Sequence, residues 1–282
     1  MLEQVTGPIA HHGEGPVWFD GWPGLRWVDM LAGDVLTLDA GSGEVRRDHV
    51  GAVAAVVRPR SSGGAVLALE RGFAFADDAL GEIELLPELF ADSGLRLNEG
   101  SVAPDGSFYC GSMAYDESPG AGSLYRMDAT GRVERVLGEI TISNGLNWTS
   151  DGARAYYADT PTQRVDVFDY TGEQLRERRP FASVEPADGA PDGLCVDAEG
   201  GVWVALWGGG AVRRYGPDGE LTAVVEVPAP RVTACTFGGP DLDELYITTS
   251  QVETDLAEHP LAGSVFRAIP GVRGLPVRAF DG

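Results

Sequence analysis

Short runs of apolar, β-branched and aromatic residues alternate along the chain with turns rich in Asp and Gly, and one such unit recurs. Its clearest copies are LRWVDMLAGDVLTLD from Leu25, SFYCGSM from Ser107, RAYYADTPTQRVDVFD from Arg154, GVWVALWGGGAVRRYG from Gly201 and ELYITTSQVE from Glu244. A weaker copy, GAVLALERGFAFAD, starts at Gly64. β-Branched and aromatic residues fit a pleated, half-buried surface, and Asp-Gly pairs supply tight turns between strands. Trp27, Val66, Phe108, Tyr156, Trp203 and Tyr246 mark the copies at intervals of 39 to 48 residues. One four-stranded propeller blade takes roughly 40–50 residues. The pattern therefore predicts an all-β chain, a six-bladed β-propeller forming a single domain over residues 1–282. A stacked pair of β-sandwiches explains the strand count but not the regular spacing.

Composition narrows the class without changing it. The 39 glycines and 18 prolines among 282 residues are too many for a helical bundle and suit many short strands. No run approaches the ~20 apolar residues a membrane-spanning helix needs. The start, MLEQVTGPIAHHGEG, lacks a basic stretch followed by an apolar one, so no secretory signal is expected and a cytoplasmic location is. A net charge of -22 disfavours nucleic acid, anionic membranes and highly anionic substrates, and favours a neutral substrate or a cation. All 21 basic residues are arginine, which removes Schiff-base chemistry and any lysine nucleophile. Cys110, Cys195 and Cys235 sit in apolar runs without a CxxC spacing and read as small buried hydrophobes.

Candidate chemistry emerges when the segments before each repeated turn are aligned. Glu14-Gly15-Pro16 precedes Asp20-Gly21, and Asn98-Glu99-Gly100 precedes Asp105-Gly106. Asn144-Gly145 precedes Asp151-Gly152, and Asp192-Gly193 precedes Glu199-Gly200. Four blades thus carry an oxygen-bearing side chain about one short strand upstream of the same turn. If that strand is the innermost, these groups converge at one mouth of the central channel. Converging carboxylates repel one another and are costly to desolvate, and a divalent cation relieves both effects. Oxygen-only ligation favours hard ions such as Ca²⁺, Mg²⁺ or Mn²⁺, and zinc also accepts carboxylate. Taken singly, each Asn-Gly or Asp-Gly reads as a turn former. The register with the repeat is what points to a site.

Other motifs are absent or bland. No GxSxG, P-loop, dinucleotide fingerprint or HExxH occurs. His11 and His12 precede Glu14 and offer a base beside a metal, but read first as a solvated loop pair. Trp18, Trp27, Trp148 and Trp203 read as packing between blades.

The segments GEGPVW at Gly13, RLNEGSVAPDGSFYCGSM at Arg96, ISNGLNWTSDG at Ile142, PDGLCVDAEGGVWVA at Pro191 and VTACTFGGPDLDELYITT at Val232 run in order over nearly the whole chain. In them the sequence resembles the gluconolactonase, senescence-marker and luciferin-regenerating enzyme family of six-bladed propellers. The resemblance implies a sugar lactone lactonase, a hydrolase acting on a cyclic ester in carbohydrate metabolism. It implies one divalent metal ion (Ca, Zn, Mn, Mg or Fe) held by Glu14, Asn144 and Asp192, with Asp192 also the general base. Arg96 and Asn98 match positions that contact substrate hydroxyls, and Asp116 matches an acidic substrate contact. Glu99 stands where the family usually has Asp, and its extra methylene shifts the carboxylate or leaves it structural. Residues 114–121 and 182–190 are expected as a partial lid.

The expected partner is a small-molecule lactone such as gluconolactone, with no nucleic acid and no membrane, and the chain is expected as a monomer or weak oligomer. Two further readings keep the same metal site. One is a phosphotriesterase or arylesterase, and the other a non-catalytic metal-dependent sugar-binding or calcium-handling protein. A strictosidine-synthase-like propeller fits the fold but not the full Glu, Asn and Asp set.

Overall fold

A computed structural model describes residues 1–282. Twenty-four strands form six antiparallel four-stranded sheets, as the repeat predicts for a six-bladed β-propeller. The inner strands are Gly13–Trp18, Ala54–Pro59, Leu95–Val102, Ser143–Trp148, Ala190–Val196 and Val232–Gly238, numbered here as blades 1 to 6. All six marker residues fall on the second strand of their blade. The inner and second strands are almost wholly buried, whereas outer strands such as Val45–His49 and Leu221–Glu226 alternate between solvent and blade. That gradient follows from radial packing, in which each blade can bury both faces only against its neighbours.

Trp27, Trp148 and Trp203 are fully buried side chains of the interblade core. Each large aromatic removes roughly 150–250 Å² from water, so packing between blades rests heavily on them. The three cysteines are free and buried, with Cys195 Sγ and Cys235 Sγ 3.7 Å apart on neighbouring inner strands. No helix is long and apolar enough to cross a membrane.

The ring closes by a chain-end exchange. Leu2–Gln4 pairs with Val265–Ala268 and supplies the fourth strand of blade 6, whose other three strands come from the C-terminal part of the chain. After Ala268 the chain crosses the far end of the channel. Ala198 N donates to Arg273 O, Arg278 Nη2 to Thr149 O, Asp281 N to Gly106 O and Ser61 N to Phe280 O, so the tail ties blades 5, 4, 3 and 2. Phe280 is buried within the core there.

Every inner strand carries a register irregularity near its start. It lies after Glu14, at Asn98 and Glu99, at Asn144 and Gly145, and at Asp192 and Gly193, with Ala55 and Thr233 taking the equivalent place in blades 2 and 6. A bulge adds a residue to one strand and re-aims its side chain, so alternation no longer dictates where that side chain points.

Candidate functional site

These bulges place four blades' side chains around one cup at the channel mouth. Its volume is about 320 Å³, and its lining includes Glu14, Arg96, Asn98, Asn144 and Asp192. Two glycines show why the local sequence permits this. Gly15 has φ +53°, a left-handed conformation that lets the strand turn directly after Glu14. A Cβ on Gly193 would stand 2.5 Å from Ala234 Cβ and 2.9 Å from Thr233 O, so only glycine lets blades 5 and 6 approach beside Asp192.

The floor of the cup is a bonded network. Asn98 Nδ2 donates to Asn144 Oδ1 at 2.9 Å and to Ser143 O at 2.8 Å. Asn144 Nδ2 donates to Thr160 Oγ1, which donates in turn to Pro191 O, both at 2.8 Å. Arg96 Nη1 donates to Asn98 Oδ1 and Leu97 O. These bonds fix the amide orientation, so that Asn144 Oδ1 keeps one lone pair directed elsewhere.

The two carboxylates are less well satisfied. Glu14 Oε2 accepts from Gly15 N at 2.9 Å. Asp192 Oδ1 is buried with no hydrogen-bond partner. Burial pushes the Glu14 carboxyl up to about 7, against the pull of the Gly15 N–H, Arg96 and Arg58. Burial, then the neighbouring Glu14 and Glu99, hold Asp192 well above the usual carboxylate range. Leaving a carboxylate oxygen buried and unpaired is unfavourable. Two such acids and an amide oxygen make a donor set that suits a hard divalent cation. No group of three or more His, Cys, Asp and Glu converges anywhere, so this donor set depends on the Asn144 amide oxygen for its third member.

Two of the expected site residues lie elsewhere. Glu99 lines the channel cavity below the cup, beside Arg58, and its Oε2 has no partner. Burial and Glu14 push it up to about 8. Asp116 is exposed, its Oδ1 accepts from Ser118 N at 3.0 Å, and it does not line the cup. The next residue, Glu117, lines the cup instead, brought round by a left-handed φ of +57°. Of the two expected lid segments, residues 114–121 contribute Glu117, and residues 182–190 contribute nothing to the lining.

The expectation of His12 as half of a solvated loop pair is corrected by the structure. The side chain is 8% exposed, lines the cup and pairs its Nδ1 with Ser250 Oγ at 2.7 Å. Burial, with Arg96 and His11, pushes its imidazole down to about 3, so the ring is neutral. The upper wall is apolar and includes Leu31, Met113, Ile142, Pro161, Trp207 and Val252.

Comparison with known proteins agrees with this architecture. Residues 12–251 match the family model described as the SMP-30/Gluconolactonase/LRE-like region. Regucalcin of Danio rerio is 35% identical over 280 residues, covering 96% of this chain and 95% of that protein. A luciferin-regenerating enzyme structure superposes with a TM-score of 0.93 at 29% identity, covering 100% of this chain and 99% of the other. The calcium-binding protein regucalcin from Agrobacterium tumefaciens superposes with a TM-score of 0.92 at 29% identity, covering 98% and 95%. The chain therefore belongs to the SMP-30/gluconolactonase/LRE-like family.

Proposed function

We propose that this protein is a divalent-metal-dependent lactonase that opens a small sugar lactone, such as an aldonolactone, to the hydroxy acid. The observation that carries the reading is the pair of buried carboxyls, Glu14 and Asp192, the latter with an unpartnered oxygen, in one cup with a fixed amide. Family membership supports hydrolysis of a lactone, and the calcium-binding relative supports a divalent ion.

Glu14, Asn144 and Asp192 would hold the ion. Once bound, it supplies Lewis-acid polarisation of the ester carbonyl and lowers the pKa of nearby water. With these three protein ligands the site would leave room for water and substrate beside the ion. Asp192 Oδ1 takes the proton of the attacking water as the new C–O bond forms. The ring C–O bond then breaks, and the departing alkoxide regains a proton to give the hydroxy acid. Arg96, anchored through Nη1, presents its remaining guanidinium donors to the substrate, and Asn98 holds the floor rigid. An aspartate bound to metal is a weak base, which an activated ester tolerates.

A proton-release assay over a panel of aldonolactones, with chelation and metal add-back, tests this. Acid release should stop on chelation and return with the ion. Asp192→Ala should lose roughly 10²–10⁴-fold in rate with its circular dichroism unchanged, the range for removing a general base. Full activity in that variant overturns the role of Asp192. Faster turnover of paraoxon than of any lactone favours the phosphotriesterase reading. Ion binding without acid release favours a calcium-handling protein, the reading that the calcium-binding relative supports.

A further inference from the structure

The neutral polar groups on the floor of the cup are committed to one another. Both Asn98 Nδ2 bonds go to protein, Asn144 Nδ2 is taken by Thr160, and Thr160 donates to Pro191 O. A hydroxylated ring entering the cup therefore finds few free partners beyond the outer nitrogens of Arg96 and the exposed Glu117 carboxylate. His12 adds a buried one. Its backbone N donates to Asp29 Oδ1 at 2.9 Å, and its Nδ1 is held by Ser250 Oγ, which also accepts from Val252 N at 3.0 Å. With both of those atoms engaged, Nε2 is the ring nitrogen left without a protein partner in a side chain that lines the cup.

Trp207 stands next to it, also held from behind. It ends the strand Val202–Trp207, forms a bridge with Arg231, and carries the Arg231 guanidinium 4.8 Å from its ring centroid. Arg231 is itself tied to Glu253 at 3.2 Å. The His12 and Trp207 rings meet edge-on at 5.9 Å. Side chains locked by partners outside a cavity present a fixed surface to whatever enters it.

We propose that His12 and Trp207 form the wall that reads the substrate's hydroxyl pattern: His12 Nε2 hydrogen-bonds one ring hydroxyl, and the indole packs beside the ring's C–H groups. This rests on the lactonase reading and names its substrate class as a hydroxylated ring lactone, not a plain or alkyl one. A hydroxyl both donates and accepts, so either neutral imidazole tautomer serves.

The test compares gluconolactone with δ-valerolactone, which has the same ring size and no hydroxyls, in wild-type, His12→Leu and His12→Gln protein, each with its ion. His12→Leu should cut the preference for gluconolactone by roughly three- to tenfold, mainly through KM, the range for losing one neutral hydrogen bond. His12→Gln, whose amide nitrogen reaches the place of Nε2, should restore most of it. An unchanged preference in His12→Leu overturns the proposal, as does a loss that Gln fails to restore. Should wild-type protein open neither lactone, the lactonase reading fails, and tryptophan fluorescence titrated with D-glucose decides the wall separately. Glucose binding weakened by His12→Leu and recovered by His12→Gln upholds it, and absent or His12-independent binding overturns it.

Discussion

Glu14 and Asp192 owe their raised pKa values mainly to burial, and each carboxyl is therefore easier to protonate in the folded chain than in the unfolded one. Between the ordinary carboxylate range and about 7 for Glu14, or about 8 for Glu99, the native state binds protons that the unfolded state has released. Without metal, stability is then highest on the acid side of this window and falls as pH rises through it. A cation needs the deprotonated ligands, so its stabilising effect grows over the same interval. Thermal melts with and without chelator should show a larger loss at pH 8 than at pH 5.5. An ion at 100 times its Kd contributes about 2.7 kcal/mol, enough to resolve in such melts. Equal losses at both pH values would count against a metal held by these acids.

The site residues were legible only in part, for physical reasons. Glu14, Asn144 and Asp192 could be aligned because bulges recur at one position in a repeated strand. His12 could not, because its partner Ser250 lies 238 positions away and meets it only when the ring closes. Asp116 differs from Glu117 by a single step around a turn whose left-handed residue, Glu117, is neither Gly nor Asn. Such a conformation is uncommon for glutamate, and the sequence gives no hint of it.

At the scale of the strand, the inner element of each blade does two jobs, packing and aiming. The burial of this strand and of the second strand beside it follows from β propensity and periodicity, and all six markers fall on equivalent second strands. The inner strand's aim depends on the bulge, which in turn depends on small residues at the contact between neighbouring inner strands. Gly193→Ala should show this, since the added methyl meets backbone and Cβ atoms of Ala234 that have little room to move. We expect a destabilisation of about 1–3 kcal/mol, the usual cost of overpacking, together with weaker metal binding by calorimetry. An unchanged melting temperature and metal Kd would show that the blade 5 to blade 6 contact is slack.

Across the whole molecule, the closure of the ring is the feature most exposed to damage. Blade 6 obtains its outer strand from Leu2–Gln4, and Arg267 Nη2 pairs with Glu3 Oε2 at 2.7 Å across that junction. Removing residues 1–5 leaves Val265–Ala268 as an unpaired edge, which both loosens the ring and invites pairing with another chain. The truncated protein should melt several degrees lower and form larger species on size-exclusion chromatography. A truncated chain that melts as the full one does would place closure in side-chain packing between blades 1 and 6.

The C-terminal tail carries one more consequence. Leu275, Pro276, Val277 and Arg278 line the space beneath the cup and narrow that end of the channel. That space holds about 60 Å³ against about 320 Å³ for the cup, so the cup is the side that can admit a sugar-sized ring. In the lactonase reading, spent acid must back out past Trp207 and Glu117 before the next lactone can enter, so accumulating product competes for the same entrance that feeds the reaction.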